Sequence, residues 1–135
     1  MKRMGQGGFA TLEVLLMVTV MGILAAIAVP RFTDVTTRAN TAKVQSDLTA
    51  IDTAVSVYNL RTGAYPNDIP ALVTSKDLQD KVSPPRGKVY VTESTCSILT
   101  ITNTMEYALN TDHRATLDSK TAGVFYYDSS KTYGK

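Results

Sequence analysis

The chain has 135 residues, of which 44% are hydrophobic and 19% are charged, and its formal net charge is +2. Lys2 and Arg3 account for that excess, so the rest of the chain is neutral and offers no electrostatic basis for binding nucleic acid. The length suits one domain with a modest core, and the single cysteine, Cys96, excludes an intramolecular disulfide.

A long hydrophobic run follows the short basic leader. It extends from Phe9 to Val29, and Glu13 is its only charged residue. As a helix, a run of about 21 residues is about 30 Å long, which matches the hydrocarbon core of a bilayer. A carboxylate inside such a span costs about 2.5–3.5 kcal/mol, so an offsetting interaction is expected. The basic leader predicts that the N-terminus stays in the cytoplasm and that the remainder lies outside.

Two alternative interpretations of this N-terminus remain open at this point. Ala26-Ile27-Ala28 resembles the small-residue cleavage site of a secretory signal peptide, although the run is longer than usual and Glu13 interrupts it. Separately, an acid near the end of a span can reach the polar interface or face a protein partner without any special role.

Helical periodicity continues after Pro30. The spacing predicts one long helix from about Phe9 to Leu60, kinked rather than ended at Pro30, with Arg61 and Gly63 as the stop signal. The predicted apolar stripe of its second half comprises Phe32, Val35, Ala39, Ala42, Leu48, Ile51, Val55 and Tyr58.

The chain beyond the helix is predicted to begin with a loop and short helical turns. Thr62 to Pro70 is rich in Gly, Pro and Asn, which indicates a loop. Ala71–Val73 and Ser75–Val82 are each predicted to hold a helical turn or two, with Ser75 as a possible N-cap.

The last third of the chain changes to a period of two. Lys88–Glu93 and Ser97–Thr102 alternate apolar and polar residues, and Met105–Leu109 and Val124–Tyr127 are weaker strand candidates. Short linkers favour an antiparallel meander, and the polar tail from Asp128 is predicted to fray. A sheet with one apolar face needs a cover, so we expect an α+β fold with the sheet packed on the second half of the helix.

No catalytic, cofactor or metal site is predicted. His113 is the only histidine and lies in a polar segment, so a loop residue is expected rather than a ligand or a general base. Cys96 is expected to be a half-buried strand residue. The spacing of Asp112, Asp118 and Asp128 matches no calcium loop, and the chain has no phosphate-binding or hydrolase motif.

The N-terminal pattern resembles the class III prepilin signal of the type IV filament superfamily, which comprises type IV pilins and the pseudopilins of type II secretion and competence systems. The pattern consists of Gly8-Phe9, Glu13 and an apolar run that closes at Pro30. The resemblance implies cleavage between Gly8 and Phe9 by a prepilin peptidase, which also methylates the new N-terminal Phe9. It also implies a pilin fold divided into a leader at 1–8, a membrane and filament-core half-helix at 9–30, an amphipathic half-helix at 31–62 and a globular head at 63–135.

The same resemblance implies a structural role in a homo-oligomeric helical filament. The subunit would rest in the cytoplasmic membrane with its head outside, contact lipid, an inner-membrane assembly platform and minor pilins, and then join an extracellular or periplasmic filament. Glu13 would pair with the Phe9 amine of a neighbouring subunit, and helicity would be lost in the filament within part of Gly22–Pro30. A type IV pilus subunit and a secretion or competence pseudopilin both fit this pattern.

Two departures from the family pattern stand out. The Asp- and Gly-rich calcium loop near the end of typical secretion major pseudopilins is not evident, and one cysteine cannot form the C-terminal disulfide loop of many type IVa pilins. Two further classes of function also remain open: a monomeric membrane-anchored binding domain, and a soluble protein released after Ala28.

Overall fold

The first and longest element is a single helix. The computed structural model describes residues 7–134, with side chains described except at 7–9 and 29–31; Lys2 and Arg3 lie outside the described residues. Helix α1 spans Gly7–Thr62, so the predicted long helix is confirmed, and it does not end at Pro30. Its C-terminus is closed by Gly63, which adopts φ +74° and donates its N–H to the carbonyl of Asn59 at 2.8 Å. The described chain divides into two compact units at the Val35–Thr36 boundary.

In the second unit, one face of α1 covers the core. The fully or nearly fully buried residues of this face are Thr37, Thr41, Val44, Leu48, Ile51, Ala54 and Val55. Ala39 and Ala42, which were predicted to belong to the apolar stripe, are exposed. The inner face carries threonines there because the Thr41 hydroxyl has two partners: it donates to the Thr37 carbonyl at 2.7 Å and accepts from the Tyr90 N–H at 2.9 Å.

A short second helix, α2, spans Ile69–Thr74 and begins two residues earlier than predicted. Asp68 is its N-cap, and its Oδ1 accepts from the N–H of Ala71 at 2.9 Å. Ser75 is the C-cap rather than an N-cap, so the predicted helical turns at Ser75–Val82 are wrong. The next residue, Lys76, has φ +63°, and this left-handed conformation ends the helix.

Two antiparallel hairpins follow. Strands β1 (Gly87–Val91) and β2 (Ser97–Ile101) pair with Val89 opposite Leu99, as the alternating pattern predicts. Strands β3 (Ala108–Leu109) and β4 (Ala115–Thr116) form a separate two-stranded sheet. The single meander that was predicted is therefore two sheets. Val124–Tyr127 is not a strand, since a 3₁₀ turn occupies Ala122–Val124.

The head is built around one core between α1, α2 and the two hairpins. Its fully buried side chains are Val44, Leu48, Ile51, Leu72, Val89, Val91, Ala115, Leu117 and Phe125. An antiparallel sheet arrangement covered by the second half of a long helix is the α+β fold that the sequence predicts.

The C-terminal tail is attached to the head as far as Gly134, so the prediction that it frays is wrong for the described residues. The Tyr133 hydroxyl lies 2.6 Å from the Thr92 hydroxyl and accepts from the N–H of Asp128 at 2.8 Å. The N–H of Gly134 donates to the carbonyl of Cys96 at 3.3 Å. The tail therefore packs across the β1–β2 hairpin.

Candidate assembly helix and head anchors

The first unit exposes an unusually long apolar surface. Leu12 is 67% exposed, and the other large hydrophobic residues of this part of α1 are similarly open: Val14, Leu15, Leu16, Met17, Val18, Val20, Met21, Ile23, Leu24, Ile27, Phe32 and Val35. Exposed apolar patches of this size mark contact with a membrane or a partner. Among the described residues, one helix is long and apolar enough to cross a membrane by length and composition, and its most apolar part is not buried.

Glu13 lies within this exposed surface, as the sequence predicts. Its side chain is exposed, and it forms no hydrogen bond or ion pair with another described residue. Phe9 lies four residues earlier in the same helix, so the two positions share one face. The backbone of Gly8 and Phe9 is helical, whereas the Phe9 and Pro30 side chains lie outside the described ones. The residues predicted for assembly thus lie in one uninterrupted helix that also contains Gly22.

Acidic residues on the second half of α1 anchor the β3–β4 hairpin. Asp52 Oδ2 accepts from Arg114 Nε at 2.9 Å, and its Oδ1 accepts from the N–H of Ala115 at 2.6 Å. One turn earlier, Asp47 accepts from the Tyr107 hydroxyl at 2.9 Å. Burial and this carboxylate raise the pKa of Tyr107 above its ordinary value, so the phenol stays protonated and keeps donating. Sequence reasoning missed these anchors because each joins residues about 60 positions apart.

His113 lies at the turn of the same hairpin. Its ring stacks on Tyr65 with centroids 4.3 Å apart and an angle of 2° between the ring planes, and its backbone has φ +57°. The two rings line a polar cleft of about 380 Å³ beside Asp52 and Arg114. Asp52 and Arg114 bond each other at this cleft, and His113 lies in the hairpin turn, as its polar sequence neighbours predict.

The remaining predicted chemistry-bearing residues are dispersed. Cys96 is half-buried beside β2, and its thiol lies 3.7 Å from the carbonyl of Glu93. Asp128 accepts from the hydroxyl and the N–H of Ser130, which together lower its pKa. Within residues 7–134, no group of three His, Cys, Asp or Glu side chains is placed to hold a metal ion.

Asp77 connects the end of α1 to the loop after α2. Its side chain is 7% exposed and pairs with Arg61, whose Nη2 lies 2.6 Å from Oδ2. The Arg61 hydrogen bond is the main cause that lowers the pKa of Asp77, and the Ser75 hydroxyl adds to it.

We expect Asp77→Asn to lower the melting temperature of the head at neutral pH, and we expect this gap to close in acid. A carboxyl whose folded-state pKa is depressed contributes stability above its unfolded pKa, near 4, and loses it as the pH falls through the folded value. Thermal unfolding of both proteins from neutral pH to below pH ~3 measures the gap. Asp80→Asn, at an exposed neighbouring acid, is the control. A gap that stays constant with pH would contradict the assignment.

Comparison with known proteins places these features in a family. No protein-family model and no solved structure matches the chain significantly. Curated relatives do match it. A type II secretion system core protein G of Klebsiella michiganensis is 33% identical over 93 residues, which cover 67% of this chain and 62% of that protein. A type IV narrow pilus major component of Thermus thermophilus is 37% identical over 59 residues, or 44% of this chain and 51% of that protein. The chain belongs to the type IV filament superfamily.

This type IV filament protein resembles both branches of its superfamily. A type IV major pilin of Neisseria gonorrhoeae is 36% identical over 70 residues, which cover 52% of this chain and 33% of the pilin. The chain matches less than two thirds of the length of each of these three relatives. Pilins and secretion proteins are thus similar to it at comparable identity, and the match confirms the superfamily that the Gly8–Glu13 pattern indicates.

Proposed function

We propose that this protein is a structural subunit of a type IV pilus-like filament. The observation that carries the proposal is the exposed apolar half of α1, which contains Glu13 as its only charged residue between Ala10 and Ala28. Such an apolar surface must be shielded from water, by lipid before assembly and by neighbouring subunits after it. A helix that is anchored in the membrane and later packs beside copies of itself satisfies both requirements. The relatives named as pilins and secretion core proteins support the same role.

The proposed maturation creates the partner that Glu13 needs. Cleavage between Gly8 and Phe9 by a prepilin peptidase would free an amine on Phe9, which the same enzyme would methylate. In the filament, Glu13 of one subunit would pair with the Phe9 amine of its neighbour. That ion pair would offset the burial of each charge and set the axial register of the two helices.

The remaining parts of the proposal concern place and partners. Lys2 and Arg3 would hold the leader in the cytoplasm, and the head would lie outside the cytoplasmic membrane. An inner-membrane assembly platform and minor pilins would then take the subunit into an extracellular or periplasmic filament. Gly22 and Pro30 would be the points at which α1 loses helicity in that filament, because glycine and proline both weaken a helix interior.

A pseudopilin of a type II secretion or competence system is the second candidate. It is favoured by the match to the Klebsiella michiganensis secretion protein, which covers 67% of this chain. Both candidates share the same maturation and packing, so they differ in the length and location of the filament.

The mass of the mature N-terminus tests the proposal. We expect the protein from its native membrane to lack residues 1–8 and to carry one methyl group on Phe9, and Gly8→Val to keep its leader because the peptidase requires the small residue. A mature protein that begins at Val29 would instead show secretory cleavage after Ala28, and an uncleaved protein would indicate a permanent membrane anchor. Electron microscopy of sheared cell surfaces then separates a long pilus from a short pseudopilus.

A further inference from the structure

The basic side chains of the second unit are unevenly paired. Five of them form ion pairs with carboxylates: Lys43, Arg61, Lys81, Arg114 and Lys120. Arg38, Arg86 and Lys88 are exposed and have no carboxylate partner among the described residues, and the same holds for Lys76. Unpaired cations on a protein surface are available to an anionic partner.

Asn40 holds the backbone of two of these cations, Arg86 and Lys88, beside α1. Its Nδ2 donates to the carbonyl of Arg86 at 3.1 Å and to that of Lys88 at 3.4 Å. Gly87 allows this approach, since it has φ +112° and a Cβ there would lie 3.2 Å from the Asn40 amide. The start of β1 therefore lies beside the turn of α1 that carries Arg38.

The two segments that meet here, 35–46 and 83–92, contain four basic residues, and three acidic residues flank them: Asp34, Asp47 and Glu93. Asp47 pairs with Lys43 and Glu93 pairs with Lys120, so these two acids do not neutralise Arg38, Arg86 or Lys88.

Tyrosines lie on the same side of the head. Tyr90 shares a face of β1 with Lys88, and its ring contacts Tyr127 at 4.8 Å and Tyr133 at 4.7 Å between centroids. The guanidinium of Arg38 lies over the Tyr127 ring at 4.0 Å and borders a cleft of about 210 Å³. We call this surface the basic–aromatic face; its members are Arg38, Arg86, Lys88, Tyr127 and Tyr133, and the buried Tyr90 supports the two tyrosine rings from below.

We propose that the basic–aromatic face binds anionic phospholipid headgroups of the membrane that holds α1 before assembly, an inference that rests on the membrane-inserted state proposed above. Cations near an anionic bilayer surface are attracted to it, and the attraction extends about one Debye length, near 10 Å. Tyrosine side chains are enriched at membrane–water interfaces, because the ring is apolar and the hydroxyl is polar. Arg38 follows Val29, the last residue of the apolar run, by only nine positions.

A bilayer explains this combination better than an acidic protein does. Charge alone would suit either partner, but clustered tyrosines and closeness in sequence to the apolar run are features of a membrane interface. The face would hold the head against the membrane surface and release it as the subunit enters the filament. Each cation near the surface should change the ratio of docked to undocked heads about fivefold, which corresponds to about 1 kcal/mol.

A fluorophore beside the face can report this contact in the full chain. Thr100 is exposed and lies opposite Lys88 in the β1–β2 register, so Thr100→Cys in a Cys96→Ser background places a label there. The labelled protein is reconstituted in phosphatidylcholine vesicles with and without phosphatidylglycerol, each carrying headgroup-nitroxide lipid. We expect stronger quenching with phosphatidylglycerol, weakened by salt and lost when Arg38, Arg86 and Lys88 are all changed to Gln.

A matched variant and a second readout make the result decisive. Changing Lys76, Lys81 and Lys120 to Gln removes the same charge elsewhere on the head, and the quenching should remain. Equal loss in this control, or equal quenching in both vesicles, would overturn the inference. A response to polyglutamate but not to phosphatidylglycerol would assign the face to an acidic protein instead. Co-flotation with both vesicles measures insertion of α1 separately, and its failure would count against the proposed function.

Discussion

Replacing Glu13 with alanine is expected to abolish filament formation while leaving membrane insertion and removal of the leader intact. In the assembled filament the variant would leave the Phe9 amine buried without its partner, and breaking a buried pair in this way costs about 3–5 kcal/mol. The cost recurs at every subunit, so even a partial loss suppresses a long polymer. Removing the carboxylate also makes the span more apolar, and insertion should therefore not suffer. Filament yield in surface shears, carbonate extraction of membranes and the N-terminal mass measure the three steps.

Thr19→Ala is the matched control for that variant. Thr19 is also polar and lies in the same exposed half of α1, but its hydroxyl donates to the Leu15 carbonyl at 2.7 Å within its own helix. It therefore needs no partner from another subunit, and a normal filament yield is expected. Normal yield from Glu13→Ala would refute the pairing. An equal loss from Thr19→Ala would show that assembly depends on the composition of the span rather than on the charge at position 13.

The long helix could be predicted because its signals are local. Apolar residues recur at helical spacing, and Arg61 and Gly63 mark its end within the same turn. The inner face of its second half was predicted less well, because Thr41 lies on it. A threonine can be buried there only because the Tyr90 N–H, 49 positions away, bonds its hydroxyl. Sequence periodicity contains no information about that partner.

The segment after α2 shows why a local cap signal can mislead. Ser75 suits an N-cap, and a helix was predicted to follow it. In the structure its hydroxyl donates to Asp77 and lies 3.1 Å from the carbonyl of Leu72, and its N–H completes the preceding helix. Asp77 is held in turn by Arg61, from the end of α1. The Arg61–Asp77 ion pair thus holds the residues after Ser75 in a loop, and Ser75 caps the end of α2 instead of the start of a new helix.

Strand β4 and the basic–aromatic face are missed for a related reason. Strand β4 has two residues, which is too short for a period of two to be recognised, whereas β3 lies within the predicted candidate Met105–Leu109. The cations of the face come from two segments more than 40 positions apart, and Asn40 joins them. Glu13, by contrast, can be singled out from the sequence alone, because a charge in an apolar run is anomalous without any knowledge of the fold; its role in assembly stays a prediction.

Phe125→Ala is expected to cost the head about 3–5 kcal/mol of unfolding free energy, a large part of the 5–15 kcal/mol typical of a domain. Phe125 is the largest fully buried side chain, although it lies in a segment without regular structure. Thr92 fixes it from both sides: its N–H donates to the carbonyl of Val124 at 2.7 Å, and its hydroxyl donates to that of Tyr126 at 2.7 Å. The side chain between them is thereby held in the core.

Denaturant unfolding of the full chain in detergent measures this loss of unfolding free energy. Leu60→Ala is the control. Because Leu60 is 86% exposed, its truncation should change the unfolding free energy by less than about 0.5 kcal/mol. A cost below about 1 kcal/mol for Phe125→Ala would mean that the Phe125 side chain is not part of the core. Glu13→Ala and Phe125→Ala together test the apolar half of α1 and the head separately. Glu13→Ala should leave the unfolding of the head unchanged and remove filaments. Phe125→Ala should leave cleavage after Gly8 unchanged and reduce filaments only as far as the head unfolds, so it should be rescued at low temperature. Rescue of Glu13→Ala by cooling would contradict this division, since a missing charge is not restored by a more stable head.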